Sequence, residues 1–377
     1  MDPDHAERVL IAGGGVAGLA VARALARRGI PALTLERRDG PADAGLAINL
    51  PGNAIRALVG LGLAEALRET GVPVRRREYR TDRDRLLFAV DEAAFWGPDA
   101  APRCLRRSDL LRLLGDGLPA GAVRPDRGVA DVRPSERGVA VGLTDGTTEA
   151  GTLLVGADGV HSTVRRRVFG EEAPRSALLA RASWRFMTPN PGVDCWTLWA
   201  GPRGMVLLIP VDGGEAYGWV AASGPAADTP ELAAVQAAFE TFPARIREML
   251  ARVLSRPEAI YHSPLEEVRL PRWSRDRVLL VGDAAHATAP VWAQGAALAL
   301  EDALVLAELL ATRTDRSRIG ADYEQARRPR VAHVQAMTDR LSRTARLPTW
   351  LRSAVLPVLG PRSYRATYGP LRTPVVP

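Results

Sequence analysis

The chain has 377 residues, a formal charge of +7, 46% hydrophobic residues and 25% charged ones. That length favours two domains over a single core, and no apolar run approaches the ~18 residues that a membrane span needs. All 50 basic residues are arginine, scattered and often beside an acid, so the positive balance leaves no clustered footprint for nucleic acid.

Cys104, Cys195 and the five histidines show neither metal-ligand spacing nor a disulfide framework. The N-terminus enters a folded motif almost at once, without the basic-then-apolar pattern of a signal peptide, so a cytoplasmic location is the default expectation.

Arg8 to Glu36 is the clearest local signal. RVLIA reads as a short buried strand, and GGGVAGL sets Gly13, Gly15 and Gly18 in the G-x-G-x-x-G pattern. A helix is expected over Leu19–Arg28, and then a second strand, ALTLE, ending at Glu36. Each part has a physical task. Gly13 permits a tight turn, Gly15 lets backbone approach a pyrophosphate, and Gly18 allows close packing of helix on strand. Glu36 is placed to accept from ribose hydroxyls, and an acid there disfavours a 2′-phosphate.

Pro51-Gly52-Asn53 reads as a turn opening a helix that runs to about Glu69, and Val74–Val90 alternates like a hairpin. In CLRRSDLLRLL, Ser108 is the expected N-cap, with Arg106 and Arg107 just before it. Ala122–Val155 is strand-like, with a hairpin turn at Thr144–Thr147. Asp158-Gly159 follows a buried strand, Leu153–Val155, and precedes a helix.

From Ala173 to His262 the texture changes to antiparallel strands carrying Trp184, Trp196, Trp199 and Trp219, then helices over Glu231–Phe242 and Ala244–Leu254. This region reads as a second, sheet-based domain inserted into the first. Arg185, Trp199, Trp219, Tyr261 and His262 are its candidate substrate contacts, because one sheet face has to meet a ligand or a core. A strand over Val278–Val281 then runs into Gly282-Asp283, and Gln294-Gly295 opens a long Ala/Leu helix. That is a seat for an anionic cofactor. His161 and His286 fit hydrogen-bonding scaffold better than general bases. Ala321–Arg343 continues helically, and a Pro-rich tail closes the chain.

Four fragments in one order, GGGVAGL with Glu36-Arg37, Arg107 before its helix, GADGVHSTVR and GDAAHATAPVWAQGAALALEDA, resemble the p-hydroxybenzoate hydroxylase-like FAD monooxygenases, the single-component aromatic hydroxylases. The resemblance implies an α/β fold: a Rossmann-like FAD-binding domain (GR2-type) with an inserted mixed β-sheet substrate domain and a C-terminal helical segment. The expected boundaries are 1–75, 103–172 and 265–345 for FAD, 76–102 and 173–264 for the substrate sheet, and 346–377 for the tail.

By the same resemblance, Gly13, Gly15, Val16, Ala17 and Gly18 would hold the FAD pyrophosphate, with Glu36 on the ribose and Arg37 beside it. Arg107 would contact FAD, Val129 the adenine, and Asp158 both FAD and NAD(P)H. Asp283 would take the ribityl part, and Pro290, Gly295, Ala296 and Ala297 would border the isoalloxazine. The family usually has Gly where Ala293 stands and often Asn where Ala297 stands.

The implied reaction consumes NAD(P)H and O₂ and passes one oxygen, through a flavin C4a-hydroperoxide, to an aromatic or polycyclic small molecule by hydroxylation or epoxidation. A monomer or homodimer is expected. A reductase without oxygen transfer and a non-catalytic ligand-binding flavoprotein are the alternatives, since fold alone does not fix a reaction. The absence of lysine argues against flavin halogenases, which need a catalytic one, and amine-oxidase-like enzymes, which often place one near flavin N5.

Overall fold

The computed structural model describes residues 7–40, 46–136, 138–170, 175–176, 182–222, 236–345 and 349–376. A six-stranded sheet forms its base, in the order Ser274–Arg275, Val278–Leu280, Leu153–Gly156, Val9–Ala12, Ala32–Leu35, Val123–Arg124. Its pairings are parallel except at the Ser274–Arg275 edge. All four residues of Val9–Ala12 are buried, as a central parallel strand covered on both faces requires. Helices Val16–Ala26 and Gln294–Thr312 pack against one another over this sheet and share its core.

The second sheet has seven strands in the order Tyr261–Pro264, Ala182–Pro189, Glu215–Ala222, Gly204–Pro210, Trp196–Ala200, Arg76–Thr81, Leu86–Asp91. It is mixed, because Trp196–Ala200 runs parallel to Arg76–Thr81 while its other pairings are antiparallel. One face, carrying Trp184, Phe186, Trp199, Val206, Leu208 and Val220, is buried on helix Ala244–Leu254. The other face looks toward the first sheet. This is the α/β architecture with an inserted mixed sheet that the sequence led us to expect.

Several local expectations shift. The first helix starts at Val16, earlier than expected, with Gly15 as its N-cap. The segment after Pro51 breaks at Leu61-Gly62 into two helices, Gly52–Gly60 and Ala64–Glu69. Ser108 is not a cap: the helix begins at Arg107 and Arg106 holds the N-cap position. Of the expected helix over Glu231–Phe242, residues 231–235 lie outside the described residues and only 236–238 of the rest are helical, followed by turn; Gly45 lies outside the described residues too.

The Pro-rich C-terminus forms a helix, Thr349–Tyr368, that accommodates Pro357 and Pro361. Its interior side is anchored by Tyr364 and Tyr368, both buried. Tyr364 Oη donates to Glu92 Oε2 (2.7 Å) and Tyr368 Oη to the Trp292 carbonyl (2.7 Å). Glu92 in turn pairs with the buried Arg77. Aromatic packing and a satisfied ion pair offset the two missing helix hydrogen bonds, which local proline rules alone do not anticipate.

Candidate active site

The glycine loop is built by close approach. Gly13 has φ +103°, and a Cβ there would lie 2.5 Å from the Ala157 carbonyl oxygen. A Cβ on Gly18 would fall 1.8 Å from the Gly13 carbonyl oxygen, so the helix touches the turn only because nothing projects there. Gly15 differs: a Cβ would meet no protein atom within 4 Å, and the residue borders a large cavity. The loop is packed from behind and bare in front, as a backbone cradle for a phosphate has to be.

Glu36 closes the loop. Its Oε2 accepts from the Gly14 amide (2.6 Å) and its Oε1 from the Arg38 amide (3.0 Å). The exposed Arg37 abuts Gly128, and Val129 opens the adjoining strand Val129–Pro134. These three residues therefore lie together at one end of the glycine loop.

The other end is formed where Val278–Leu280 leads into Gly282-Asp283. Asp283 opens onto the cavity, where its side chain is exposed, and among the described residues no hydrogen bond engages its carboxylate. Desolvation by the surrounding protein raises this carboxyl, and His286, Arg107 and Arg185 only partly counter that. A Cβ on Gly295 would lie 3.6 Å from Asp283 Oδ1, so the carboxylate stands beside the N-terminus of helix Gln294–Thr312. Pro290, Gly295 and Ala296 line the same cavity, while the Ala297 side chain is buried in the core behind it.

Ala293, the N-cap of that helix, is left-handed at φ 53°, ψ 35°. An L-residue pays about 1–2 kcal/mol for this conformation, against about 0.5–1 kcal/mol of extra chain entropy for glycine. Ala293→Gly is therefore expected to stabilise the apoprotein by about 0.5–1 kcal/mol, read as a higher denaturant midpoint with an unchanged slope.

Behind the turn lies a buried polar network. Asp302 Oδ2 accepts from the Gly282 amide (2.9 Å) and lies 2.7 Å from His286 Nε2. Arg327 donates to Asp302 Oδ1 (2.7 Å) and Glu301 Oε2 (3.0 Å), and Arg330 reaches Glu301 Oε1 (2.7 Å). Asn53 Nδ2 donates to Glu301 Oε1 and to Gln294 Oε1, each at 3.0 Å. Burial alone would raise the Asp302 carboxyl, but His286, Arg327 and the Gly282 amide hold it well below the ordinary carboxylate range. The network fixes both the Gly282 turn and the Gln294 helix start, and it accounts for His286 as scaffold.

The cavity, about 860 Å³, is continuous from Gly15, Val16 and Ala17 past Arg107 and Asp283 to the free face of the seven-stranded sheet. Arg185, Trp219, Tyr261 and His262 line it. Tyr217 does too, and burial pushes its hydroxyl up to about 12.

Trp199 does not reach this cavity, contrary to the expectation of a substrate contact. Side chains alternate along a strand, so Trp196 and Leu198 face the cavity while Trp199 points to the opposite core. There its Nε1 donates to Asp84 Oδ1 at 2.7 Å.

Asp158 is also off the cavity wall. Its carboxylate accepts from the Thr163 (2.7 Å) and Val164 (3.1 Å) amides, capping helix Thr163–Phe169, and the neighbouring Gly159 borders the cavity instead. His161, near the rim, pairs with Glu266 at 3.1 Å.

Sequence reasoning missed Arg77, Tyr79, Leu198 and Leu207 on the cavity wall, and Tyr364 from the C-terminal helix. Strict alternation along the strands held the signal for the leucines. Nothing local marks Arg77 or Arg327, whose partners are distant in sequence.

The model of the FAD binding domain family matches residues 6–340. 3-Amino-4-hydroxybenzoate 2-monooxygenase of Streptomyces cremeus is 34% identical over 368 residues, 92% of this chain and 89% of the relative. 3-Hydroxybenzoate 6-hydroxylase 1 of Aquipseudomonas alcaligenes is 33% identical, over 87% of this chain and 86% of the relative. Among solved structures, Klebsiella pneumoniae HpxO complexed with FAD and uric acid superposes with a TM-score of 0.82 at 25% identity, covering 97% of this chain and 92% of that one.

Proposed function

The chain belongs to the FAD binding domain family and is an FAD-dependent aromatic monooxygenase, and from that premise we propose how its own residues divide the work. The observation that carries the reading is the single cavity joining the bare glycine loop and Asp283 to an aromatic, arginine-bearing sheet face.

In this reading Gly13, Gly15, Val16, Ala17 and Gly18 bind the FAD pyrophosphate through backbone amides and the first helix N-terminus. Glu36 takes the adenosine ribose, with Arg37 and Val129 bordering the adenine end. Arg107 and Asp283 hold the middle of the cofactor. Asp283 is oriented by the Gly282 turn, so its carboxylate accepts from ribityl hydroxyls. Pro290 and the amides of Gly295, Ala296 and Ala297 border the isoalloxazine, where the helix N-terminus favours negative charge. Bound FAD supplies the electron storage and oxygen activation that no side chain here supplies.

The sheet face positions the substrate ring and, with the C-terminal helix, keeps water out. Arg185 and Trp219 stand at the cofactor end of that face. The relatives named above act on hydroxybenzoates, so a hydroxylated aromatic acid with its anionic group toward Arg185 is the proposed starting substrate class. NAD(P)H is the proposed electron donor, and the cytoplasm, where that donor is supplied, is the proposed location.

The test is turnover of the FAD-loaded protein under isotopically labelled O₂. One labelled oxygen in the aromatic product, with NAD(P)H consumed in step, supports the reading. NAD(P)H oxidation that yields only peroxide with every hydroxybenzoate offered overturns it.

Asp283→Asn separates the two demands on that residue. Because desolvation raises the native carboxyl, Asp283 contributes stability below the unfolded carboxylate range and loses it as pH rises through the native value. At neutral pH the charge is therefore a cost to the apoprotein. The Asn variant is expected to melt only slightly above wild type at neutral pH, since cavity water screens the exposed charge, with the gap closing in acid. Its FAD affinity is expected to drop about 10–100-fold, the worth of charge-assisted hydrogen bonds. Melting of apoprotein across pH and flavin titration check the two arms.

A further inference from the structure

The register of the seven-stranded sheet puts one residue from each strand into a single cross-strand rank. Tyr261 pairs with Arg185, Arg185 with Trp219, Trp219 with Leu207, Leu207 with Leu198, Leu198 with Tyr79, and Tyr79 with Phe88. Every member of the rank lines the cavity. At a strand spacing of about 4.8 Å, the part from Trp219 to Phe88 runs roughly 19 Å, whereas one aromatic ring covers about two strands.

The two ends of this floor differ in chemistry. Trp219 packs with Leu265 and Ala289, next to Pro290, so the Arg185–Trp219 end adjoins the cofactor loop. Arg185 is the cross-strand partner of Trp219, which places the cation at the same end. The Leu207–Phe88 end is apolar. Tyr79 and Phe88 stack at 4.2 Å, and Leu356 and Gly360 of the C-terminal helix also line the cavity there. A Cβ on Gly360 would lie 2.3 Å from the Phe88 ring, so the helix is drawn down onto this arm.

Three arginines also line this end of the cavity, each with protein partners, Arg352 donating to the Gly201 carbonyl (2.9 Å). Arg77 pairs with Glu92 beneath the Trp196 ring, and Arg80 with Glu78 and Asp84.

We propose that the substrate is bipartite: an aromatic head with an ionisable group at Arg185, and an apolar extension of several carbons, an alkyl chain or further fused ring, lying along Leu207, Leu198, Tyr79 and Phe88 beneath the C-terminal helix. The proposal rests on the monooxygenase reading and adds the shape that selects among aromatic substrates. Tyr79 and Phe88 supply flat apolar surface at the far end, and Leu198 is the middle of the floor.

The test uses FAD-loaded enzyme and 6-alkylsalicylates with methyl, propyl, pentyl and heptyl chains, with dissociation constants read from perturbation of the flavin spectrum and product from NAD(P)H-dependent hydroxylation. Affinity is expected to rise toward about fourfold per buried methylene. Leu198→Trp, which fills the arm, is expected to weaken the heptyl compound at least tenfold relative to the methyl one. Leu356→Trp does the same from the roof and keeps the test open if the first variant folds poorly. Flavin content and melting temperature monitor folding in both.

A flat alkyl series with turnover of the methyl compound, or variants that weaken all chain lengths alike, overturns the bipartite substrate and leaves the monooxygenase reading standing. If no member of the series perturbs the flavin or is hydroxylated, the bipartite substrate and the aromatic-acid head at Arg185 both fall, while the FAD-dependent monooxygenase assignment does not depend on them.

Discussion

Replacing Arg327 with methionine is expected to destabilise the protein by about 3–5 kcal/mol, the cost of removing one partner from a buried ion-pair network. Arg327 is 1% exposed and bridges Asp302 and Glu301, which are 0% and 2% exposed. Methionine fills most of the volume, so the loss is electrostatic: two buried carboxylates lose their shared donor. Asp302 keeps His286 and the Gly282 amide, and Glu301 keeps Arg330 and Asn53, which limits the damage.

The double variant Arg327→Met/Asp302→Asn should cost less than the sum of its singles, because each removes the same interaction. Chemical denaturation measures this coupling. Flavin titration should show weaker FAD binding as well, since Asp302 sets the turn that aims Asp283. A denaturation midpoint within error of wild type would remove the network from the account of the site.

Gly18→Val is expected to lower FAD affinity by about a hundredfold or more, because the backbone donors of the loop can no longer keep their places. The first Cβ atom alone would sit 1.8 Å from the Gly13 oxygen, and that neighbour is backbone, not a flexible side chain. The helix has to move off the strand, which adds overpacking strain of about 1–3 kcal/mol to the apoprotein.

Gly15→Val makes the informative contrast. A Cβ at residue 15 meets no protein atom within 4 Å, so the apoprotein should melt close to wild type while FAD affinity falls. Equal destabilisation of both variants would mean that the space before Gly15 is not held open for a ligand.

Much of the cofactor end was legible because its residues act through local chain geometry. Gly13, Gly15 and Gly18 announce a tight turn, an open backbone and a helix contact within six residues, and Glu36 ends the next strand at a fixed distance. Asp283 and Gly295 follow the same logic, a strand end feeding a helix start. The cavity face of the seven-stranded sheet was less legible. Its residue types were visible, but the face each one took depended on parity within a strand, and Trp199 was read to the wrong side. The C-terminal helix was hidden by two prolines, whose local penalty is outweighed by Tyr364 and Tyr368 packing on Trp96 and Trp292.

The sequence alone determined the family, the cofactor and the order of the family's motifs along the chain. Those follow from short-range spacing that survives whatever the rest of the fold does. Only the tertiary structure decided which side chains meet across distance: Arg327 with Asp302, Arg77 with Glu92, and the seven-residue rank from Tyr261 to Phe88. Register between strands far apart in sequence is set by the summed packing of both sheet faces, and no local pattern contains that sum.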